Sequence, residues 1–527
     1  MGRLIEEKIS RFDGGISDDP RQPVSNAGSL IKHFDIFQNP FKLIPVRDTE
    51  ADTSTSVSST DLEQYLVRDF ILALSGRLYG LGENASGQPK VVFKADPTTG
   101  NWTLPATAEG NAARIGGSFI EWVSSMWFFQ GTTQVARWAI DSTVTNTVGT
   151  VGTITTVAQS IIGADGNMYM FYNNKVVRVS SANAVTDDVF SAIPTDMRIT
   201  AAARWGSYLA IAVSHGTSAT AVPSGRSQVY IWDYVATSTA VDVIDWGEGD
   251  LKVLGNIEGR LVGVSDKYLS NAISLSQGSM VVKMWAGGTP QVMKEIVANQ
   301  LVTADAATAR RFPRSFLVKD NRLYWAASVP FLFSTSTEST YHLGIWCFGR
   351  KNANSEFALS IEVVEEATAS ANYFISSIGN AGNYWFIAHS AQSAGLVRKT
   401  NDSSSFTYTS EYITQIRNAG DSSVTKTLKG VTIYTDPLPA AAVITIQYAI
   451  NQETTFTTIF TSTTDNSISA SAINIASSGA RLPEYKEILF RITSTGGGEV
   501  TGLSWQSDLL QKDLFTRIFE YLISFIR

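Results

Sequence analysis

The chain lacks the residues on which disulfide-bonded folds and many metal sites depend. Among its 527 residues there is one cysteine, Cys347, and there are four histidines. One cysteine cannot form an internal disulfide, and its neighbours at 344–348 are typical of a β-strand, which predicts a buried, unreactive thiol. No histidine has another histidine or a cysteine at the spacing of a metal site. We therefore expect neither a metal nor a cofactor.

Charge is also scarce, and so are long apolar runs. Charged residues make up 17% of the chain, and the net charge is -7, which argues against a broad nucleic-acid-binding surface. No apolar run reaches the roughly 20 residues that cross a bilayer, and the first residues lack the apolar core of a signal peptide. We expect synthesis in the cytoplasm without export by a standard signal.

A short phrase recurs instead, in which a small turn residue is followed by an apolar and aromatic strand. Seven copies are present, at 75–81, 124–129, 165–171, 205–211, 258–264, 320–325 and 382–387. The copies lie roughly 40 to 60 residues apart, which is the spacing of propeller blades. One repeat cannot bury its own apolar face, so about six or seven sheets stacked around an axis are expected. The sequence predicts an all-β protein with a β-propeller at 62–415; two packed β-sandwiches are the alternative architecture.

The flanks of the repeats have other patterns. Residues 1–61 contain Pro and Gly punctuation and a polar linker, which predict an extended N-terminal arm. Residues 416–508 are predicted to form a β-sandwich, because Ile444, Ile446 and Tyr448 alternate on one strand face. Residues 509–527 are predicted to form an amphipathic helix that docks on the chain itself or on a partner. Its apolar residues recur at helical spacing: Leu510, Leu514, Ile518, Leu522 and Phe525.

Candidate catalytic groups are sparse. The densest acidic group, Asp242, Asp245, Glu248 and Asp250, could supply the paired carboxylates of a glycosidase, or it could simply be solvated and cap turns. Glu362, Glu365 and Glu366 form a second acidic group with the same two interpretations. The turn at 165–167 partly matches the Asp boxes of sialidases but lacks their flanking residues. No nucleophile elbow or catalytic triad stands out, so the chain is predicted not to be an enzyme.

Three stretches together resemble virion proteins of tailed bacteriophages. The first is Phe12-Asp13-Gly14-Gly15-Ile16-Ser17-Asp18-Asp19-Pro20-Arg21 with the following His33-Phe34-Asp35-Ile36-Phe37. The second is Ile244-Asp245-Trp246-Gly247-Glu248-Gly249-Asp250 leading into the strand at 254–264, and the third is the strand order of the C-terminal sandwich. The layout is similar to a tail nozzle or hub, whose propeller-bearing subunits form a ring that extends the portal and closes the DNA channel.

The resemblance implies a structural virion protein located in the tail and active through oligomeric assembly. It implies a homo-oligomeric ring, for which six subunits is one candidate number, with tail or portal-adaptor proteins as neighbours. Genomic DNA would pass through without sequence-specific binding, and a host-surface receptor is a further candidate partner. The residues predicted to mediate assembly are Phe12, Asp13, Gly14, Gly15, Leu514, Ile518, Leu522 and Phe525. The alternative is a receptor-binding or polysaccharide-degrading propeller of the virion.

Overall fold

The structure is a computed structural model of the chain. It describes residues 4–17, 26–52, 66–72, 76–83, 89–94, 96–97, 102–103, 119–139, 145–215, 226–268, 278–298, 316–330, 341–364, 375–389, 397–400, 406–418, 421–451, 453, 455–473 and 483–509. Within these ranges the regular structure is entirely β, with no helix. The composition favours this outcome, because β-branched and aromatic residues fit a pleated, half-buried surface.

Five short strands come from the N-terminal residues. They are β1 (Leu4–Ile9), β2 (Gly28–Lys32), β3 (Phe34–Asp35), β4 (Ile44–Pro45) and β5 (Thr49–Ala51). Strands β3 and β4 pair with each other, whereas β1, β2 and β5 each join a sheet built mainly from later residues. The predicted arm is therefore distributed over several sheets.

Seven four-stranded antiparallel groups, called sheets 1 to 7, follow in the part of the chain that is described. Sheets 1 to 3 are β6 (Leu66–Leu72), β7 (Leu78–Glu83), β8 (Pro89–Lys94), β9 (Trp102–Thr103); β10 (Phe119–Trp122), β11 (Ser125–Gln130), β12 (Gln134–Ala139), β13 (Thr145–Thr150); and β14 (Val157–Ile162), β15 (Met168–Tyr172), β16 (Lys175–Val179), β17 (Val185–Thr186). Sheets 4 and 5 are β18 (Met197–Trp205), β19 (Tyr208–His215), β20 (Arg226–Trp232), β21 (Asp242–Glu248); and β22 (Asp250–Ile257), β23 (Arg260–Tyr268), β24 (Gly278–Trp285), β25 (Gln291–Ala298). Sheets 6 and 7 are β26 (Phe316–Lys319), β27 (Arg322–Pro330), β28 (Tyr341–Gly349), β29 (Ala358–Val364); and β30 (Ile375–Ala381), β31 (Tyr384–His389), β32 (Val397–Thr400), with β5 as fourth strand.

All seven copies of the repeated phrase fall at the same place in these sheets. Each copy begins at the turn between the first and second strand and continues into the second strand. Each turn holds a residue with positive φ: Gly76, Ser124, Gly166, Gly206, Gly259, Asn321 and Gly382. Left-handed residues match a tight hairpin to the twist of its strands. The apolar run follows because second strands such as Ser125–Gln130 are buried along their whole length.

The sheets are arranged in a closed ring. Each first strand contacts the first strand of the next sheet, and β30 of sheet 7 contacts β6 of sheet 1. An apolar cluster fills this last junction, where Phe70 and Trp102 of sheet 1 pack with Phe386 of sheet 7. A ring of small antiparallel sheets joined through their first strands is the architecture of a β-propeller. The predicted all-β propeller class is confirmed.

The remaining strands form most of two further sheets. They are β33 (Ser410–Thr414), β34 (Lys426–Thr435), β35 (Val443–Ile450), β36 (Thr457–Ser462), β37 (Ser469–Ile473), β38 (Glu484–Tyr485), β39 (Ile488–Thr495) and β40 (Val500–Leu509). Sheet 8 has the order β1-β40-β34-β37 with β38 beside β34, and sheet 9 has the order β2-β33-β39-β35-β36. Phe490 of sheet 9 packs on Trp505 of sheet 8, with ring centroids 5.0 Å apart. Strand β2 also pairs with β29, so sheets 6 and 9 form one nine-stranded sheet.

Two predictions about the C-terminal residues need comment. The helix predicted at 509–527 is unsupported, because Leu509 ends strand β40 and residues 510–527 lie outside the described residues. Strand Ser410–Thr414, which lies within the range predicted for the propeller, pairs with β39 and β2 of sheet 9.

Candidate functional site

The predicted assembly motif, Phe12 to Gly15, is buried inside its own chain. Phe12 is fully buried and packs edge-on against Tyr412, with ring centroids 5.3 Å apart. Its backbone N–H donates to the carbonyl of Pro40 at 2.9 Å. Asp13 accepts a 2.6 Å hydrogen bond from Arg11. In this structure the motif therefore contacts sheet 9 and does not form an exposed patch.

Gly15 explains why the motif contains glycine. Its φ is +70°, and a Cβ atom there would lie 2.6 Å from the backbone nitrogen of Leu359 in β29. The close approach lets Ile16 N–H donate to the Leu359 carbonyl at 2.7 Å, while Gly28 N–H donates to the Gly15 carbonyl at 2.9 Å. The motif thus forms a backbone bridge between the outer strand of sheet 6 and β2 of sheet 9. A side chain would separate these backbones.

His33 continues this contact after strand β2. It has φ of +60°, unusual for a residue other than glycine, and its backbone N–H donates to the Ile361 carbonyl at 2.9 Å. The His33 Nδ1 atom accepts a hydrogen bond from Val364 N–H at 3.3 Å, and Nε2 lies 3.8 Å from Asp48 Oδ1. Because Nδ1 accepts, the proton of the neutral imidazole is on Nε2, facing Asp48.

Asp48 anchors the arm to the segment that precedes β33. It accepts hydrogen bonds from Tyr408 N–H at 2.9 Å and from Thr407 Oγ1 at 2.7 Å. Burial by itself would raise the pKa of Asp48, but the nearby His33 imidazole and the hydrogen bonds from Tyr408 and Thr407 outweigh it and lower the pKa to about 2. The carboxylate is therefore a stable acceptor at neutral pH.

The arm then closes the propeller ring. Strand β5 supplies the fourth strand of sheet 7 by pairing with β32. The next residue, Asp52, accepts a 2.9 Å hydrogen bond from the indole of Trp102 in sheet 1. We name the described residues 12–17 and 26–52 the N-terminal clamp, because they bind sheets 6 and 9 together and then join sheet 7 to sheet 1.

The C-terminal half of the predicted assembly set cannot be placed. Leu514, Ile518, Leu522 and Phe525 lie outside the described residues. Two members of the second acidic group, Glu365 and Glu366, lie outside them as well, whereas Glu362 is in β29 beside the clamp.

The structure separates the acidic group at 242–250. Asp242, Asp245 and Glu248 are exposed on β21, the outer strand of sheet 4, and Asp245 pairs with Arg226. Asp250 instead begins β22 and is buried in a 2.6 Å ion pair with Arg198 of β18. The group therefore divides into an exposed outer edge and a buried link between sheets 4 and 5. The Asp165 carboxylate caps its own turn and accepts a 2.6 Å hydrogen bond from the Tyr169 hydroxyl.

A second charged cluster adjoins that buried link. Lys252 Nζ lies 3.4 Å from Asp266 Oδ2 and 3.6 Å from Asp250 Oδ2. The exposed His215 Nε2 lies 3.2 Å from Asp196 Oδ2, and the His215 carbonyl accepts from Arg198 at 3.3 Å. Within the described part of the chain, no three His, Cys, Asp or Glu side chains converge as a metal ion would require.

A cavity of about 300 Å³ lies where the first strands of sheets 1, 6 and 7 meet. Phe70, Phe316 and Ile378 line it with apolar surface, and Lys319 and Asn380 add polar groups. Lys319 Nζ donates to the Gly382 carbonyl at 2.9 Å. This volume is at the lower end for pockets that hold small molecules.

Glu362 was a sequence-based candidate and His33 lay in a quoted motif, but their contacts with the rest of the clamp were not predicted. His33, Asp48 and Glu362 are brought together with residues more than 300 positions away, such as His33 with Val364 at a separation of 331. The sequence signals near them were the aromatic-rich stretch that begins at His33 and the acidic group that contains Glu362.

Comparisons with known proteins find similar solved structures. No family model and no curated protein matches the chain. Virginiamycin B lyase from Staphylococcus aureus is similar, with 8% identity, a TM-score of 0.41 and coverage of 65% of this chain and 97% of that one. The N-terminal domain of Nup159 has 9% identity, a TM-score of 0.37 and coverage of 68% and 97%. An oligogalacturonate lyase in complex with manganese has 11% identity, a TM-score of 0.41 and coverage of 68% and 97%.

One prediction is corrected by these matches. The sequence predicted that the chain is not an enzyme, yet the similar structures include two kinds of lyase and an exo-β-1,3-galactanase. The scarcity of catalytic motifs therefore does not exclude catalysis, and that prediction is withdrawn. At 8–11% identity the matches carry no argument for a particular reaction. Among the described residues no helix is long and apolar enough to cross a membrane.

Proposed function

We propose that the chain is a structural protein of a bacteriophage tail, a nozzle, hub or tip-ring component that acts by oligomeric assembly. The observation that carries this proposal is the N-terminal clamp. It joins the propeller and sheets 8 and 9 by backbone hydrogen bonds such as Ile16 N–H to the Leu359 carbonyl at 2.7 Å. A building block that holds its place in a ring needs such a fixed connection between its parts.

The finer architecture belongs to the same proposal. We infer a propeller of seven blades, with β5 as the last strand of the seventh, and a C-terminal β-sandwich made of sheets 8 and 9. The seven positive-φ turns and the contact of β30 with β6 support the blade number. The packing of Phe490 on Trp505 supports the sandwich.

The proposed partners are further copies of the chain in a ring, for which six is one candidate number, together with tail and portal-adaptor proteins. In this proposal the ring forms or closes the DNA exit channel of the virion, and a host-surface receptor is a further partner. The net charge of -7 suits a channel through which DNA passes without binding, since like charges repel.

Imaging and mass measurement test the proposal together. The purified chain is examined by mass photometry and negative-stain microscopy, and virions are probed with an antibody against it. A ring of defined copy number and labelling confined to the tail are the expected results. A monomer at all concentrations together with absence from purified virions would overturn the proposal.

The cavity between sheets 1, 6 and 7 favours one alternative, a propeller of the virion that binds or degrades a host polysaccharide. Its apolar lining with Lys319 and Asn380 could receive a sugar ring. Binding of host polysaccharide by calorimetry, lost in Lys319→Ala and kept in the exposed-site control Lys351→Ala, is the expected result of this alternative. Equal binding by both variants, or none by the wild type, would reject it.

A further inference from the structure

A buried group of charges lies where the clamp meets sheet 6. Glu362 is in β29 between Ile361 and Val364, and both of these residues form hydrogen bonds with His33 of the clamp. The Glu362 Oε2 atom is buried and has no hydrogen-bond partner. An ionised carboxylate in such a position is costly, whereas a neutral acid is tolerated.

Charged groups lie on several neighbouring elements. Strand β3, which packs on β29, carries Asp35, and β2, which pairs with β29, carries Lys32. Arg322 of β27 and Lys319 of β26 also interact electrostatically with Glu362. The Arg322 guanidinium stacks over Phe37 of the clamp, 4.5 Å from its ring centroid, and its Nε is buried without a partner. The remaining neighbours in this group are Tyr324, Cys347 and Trp385.

Asp35 is held in place by the clamp's own backbone. Its Oδ1 accepts hydrogen bonds from Phe37 N–H at 2.7 Å and from Gln38 N–H at 3.0 Å. The clamp therefore fixes one carboxylate on β3, the strand that packs on β29, where the Glu362 Oε2 atom is buried. Burial first, and then the charge of Asp35, raise the pKa of Glu362 to about 7, against the opposing effect of Arg322.

We propose that Asp35, Arg322 and Glu362 form a proton-sensitive latch between the clamp and sheet 6, closed when Glu362 is neutral and loosened when it ionises. This inference concerns the single chain and does not depend on the proposed tail function. Between the ordinary pKa of a glutamate and pH 7, Glu362 keeps its proton in the closed state and loses it in the open state. Closure therefore weakens as pH rises toward 7. Above pH 7 the carboxyl is ionised in both states, and the effect levels off.

His33 belongs to the same contact, because its Nδ1 accepts a hydrogen bond from Val364 N–H. A test must therefore separate Glu362 from His33. The ratio of opening constants between the wild type and Glu362→Gln does so, since His33 contributes equally to both proteins.

Hydrogen exchange on the full-length protein measures these opening constants. Amides at 33–45 are followed from pH 5 to pH 8.5, with correction for the intrinsic exchange rate. The ratio of the wild-type to the Glu362→Gln opening constant is expected to rise up to about tenfold per pH unit toward pH 7 and then to level off, as one proton requires. The exposed-site control Glu356→Gln is expected to follow the wild type throughout.

A second variant keeps the test decisive if Glu362→Gln folds poorly. Asp35→Asn retains the turn acceptor but removes the charge that raises the pKa of Glu362, so the midpoint of the wild-type pH dependence is expected to move to lower pH. A ratio that stays constant from pH 5 to 8.5, or a midpoint unmoved in Asp35→Asn, would overturn the latch.

Discussion

At the scale of single residues, the clamp depends on positions that tolerate no ordinary substitution. Gly15 combines a left-handed backbone with a 2.6 Å approach of a potential Cβ to Leu359 N. His33 adopts a left-handed backbone although it carries a side chain, and its ring is held by Val364 and Asp48. Residues in such conformations persist only where their surroundings determine them strongly.

Substitution of Gly15 by Ala is expected to lower the free energy of unfolding by roughly 1–3 kcal/mol, because the added methyl meets backbone that cannot move aside. Gly382→Ala is the matched control, since Gly382 has φ of +59° but open space at its Cβ position. Chemical denaturation measures both variants. A loss for Gly15→Ala no larger than that of the control would contradict the close-approach argument.

Asp48 makes a prediction about acid. Its pKa is lowered to about 2 in the folded chain, so its contribution to stability is complete above pH 4 and disappears as pH falls toward 2. Asp48→Asn is expected to cost roughly 2 kcal/mol at pH 7 and to lose that difference in acid. The exposed control Asp320→Asn should change stability little at either pH. A deficit in Asp48→Asn that is independent of pH would contradict the ionic role.

At the scale of strands, local pattern was sufficient for the ring but not for the clamp. The turn residues and the buried second strands are encoded within a few positions, so all seven copies could be found from the sequence. The contacts of His33 with Val364, or of Asp48 with Tyr408, join residues more than 300 positions apart. No periodicity encodes such pairs, which is why the buried partners of the assembly motif were not predicted.

Strand β5 provides a prediction at this scale. It is only three residues long, and its sole described ladder is with β32. Along a strand, successive backbone N–H groups point alternately toward and away from the partner strand. Proline at both 50 and 51 therefore removes one N–H donor to β32. The double variant is expected to lose roughly 1–3 kcal/mol and to lose exchange protection first at Val397–Thr400. The control Glu50→Gln keeps the backbone donor and should behave as the wild type. Equal exchange protection at Val397–Thr400 in the double proline variant and in this control would contradict ring closure by β5.

At the scale of the whole molecule, sheets 6 and 9 form one hydrogen-bonded surface of nine strands, and a single apolar cluster includes residues of both. The propeller and the two C-terminal sheets should therefore unfold together. Scanning calorimetry is expected to give one transition with equal calorimetric and van't Hoff enthalpies. Two separate transitions would mean that the clamp does not couple the two parts.

The closure of sheet 7 by β5 has a consequence for synthesis on the ribosome. About 350 residues separate β5 from its partner strand β32, so the strand that completes sheet 7 emerges long before the strand with which it pairs. At roughly 5–20 residues per second, that wait is on the order of 20 to 70 s. During this time the nascent propeller has an unfinished edge, and its completion can only follow translation through Thr400.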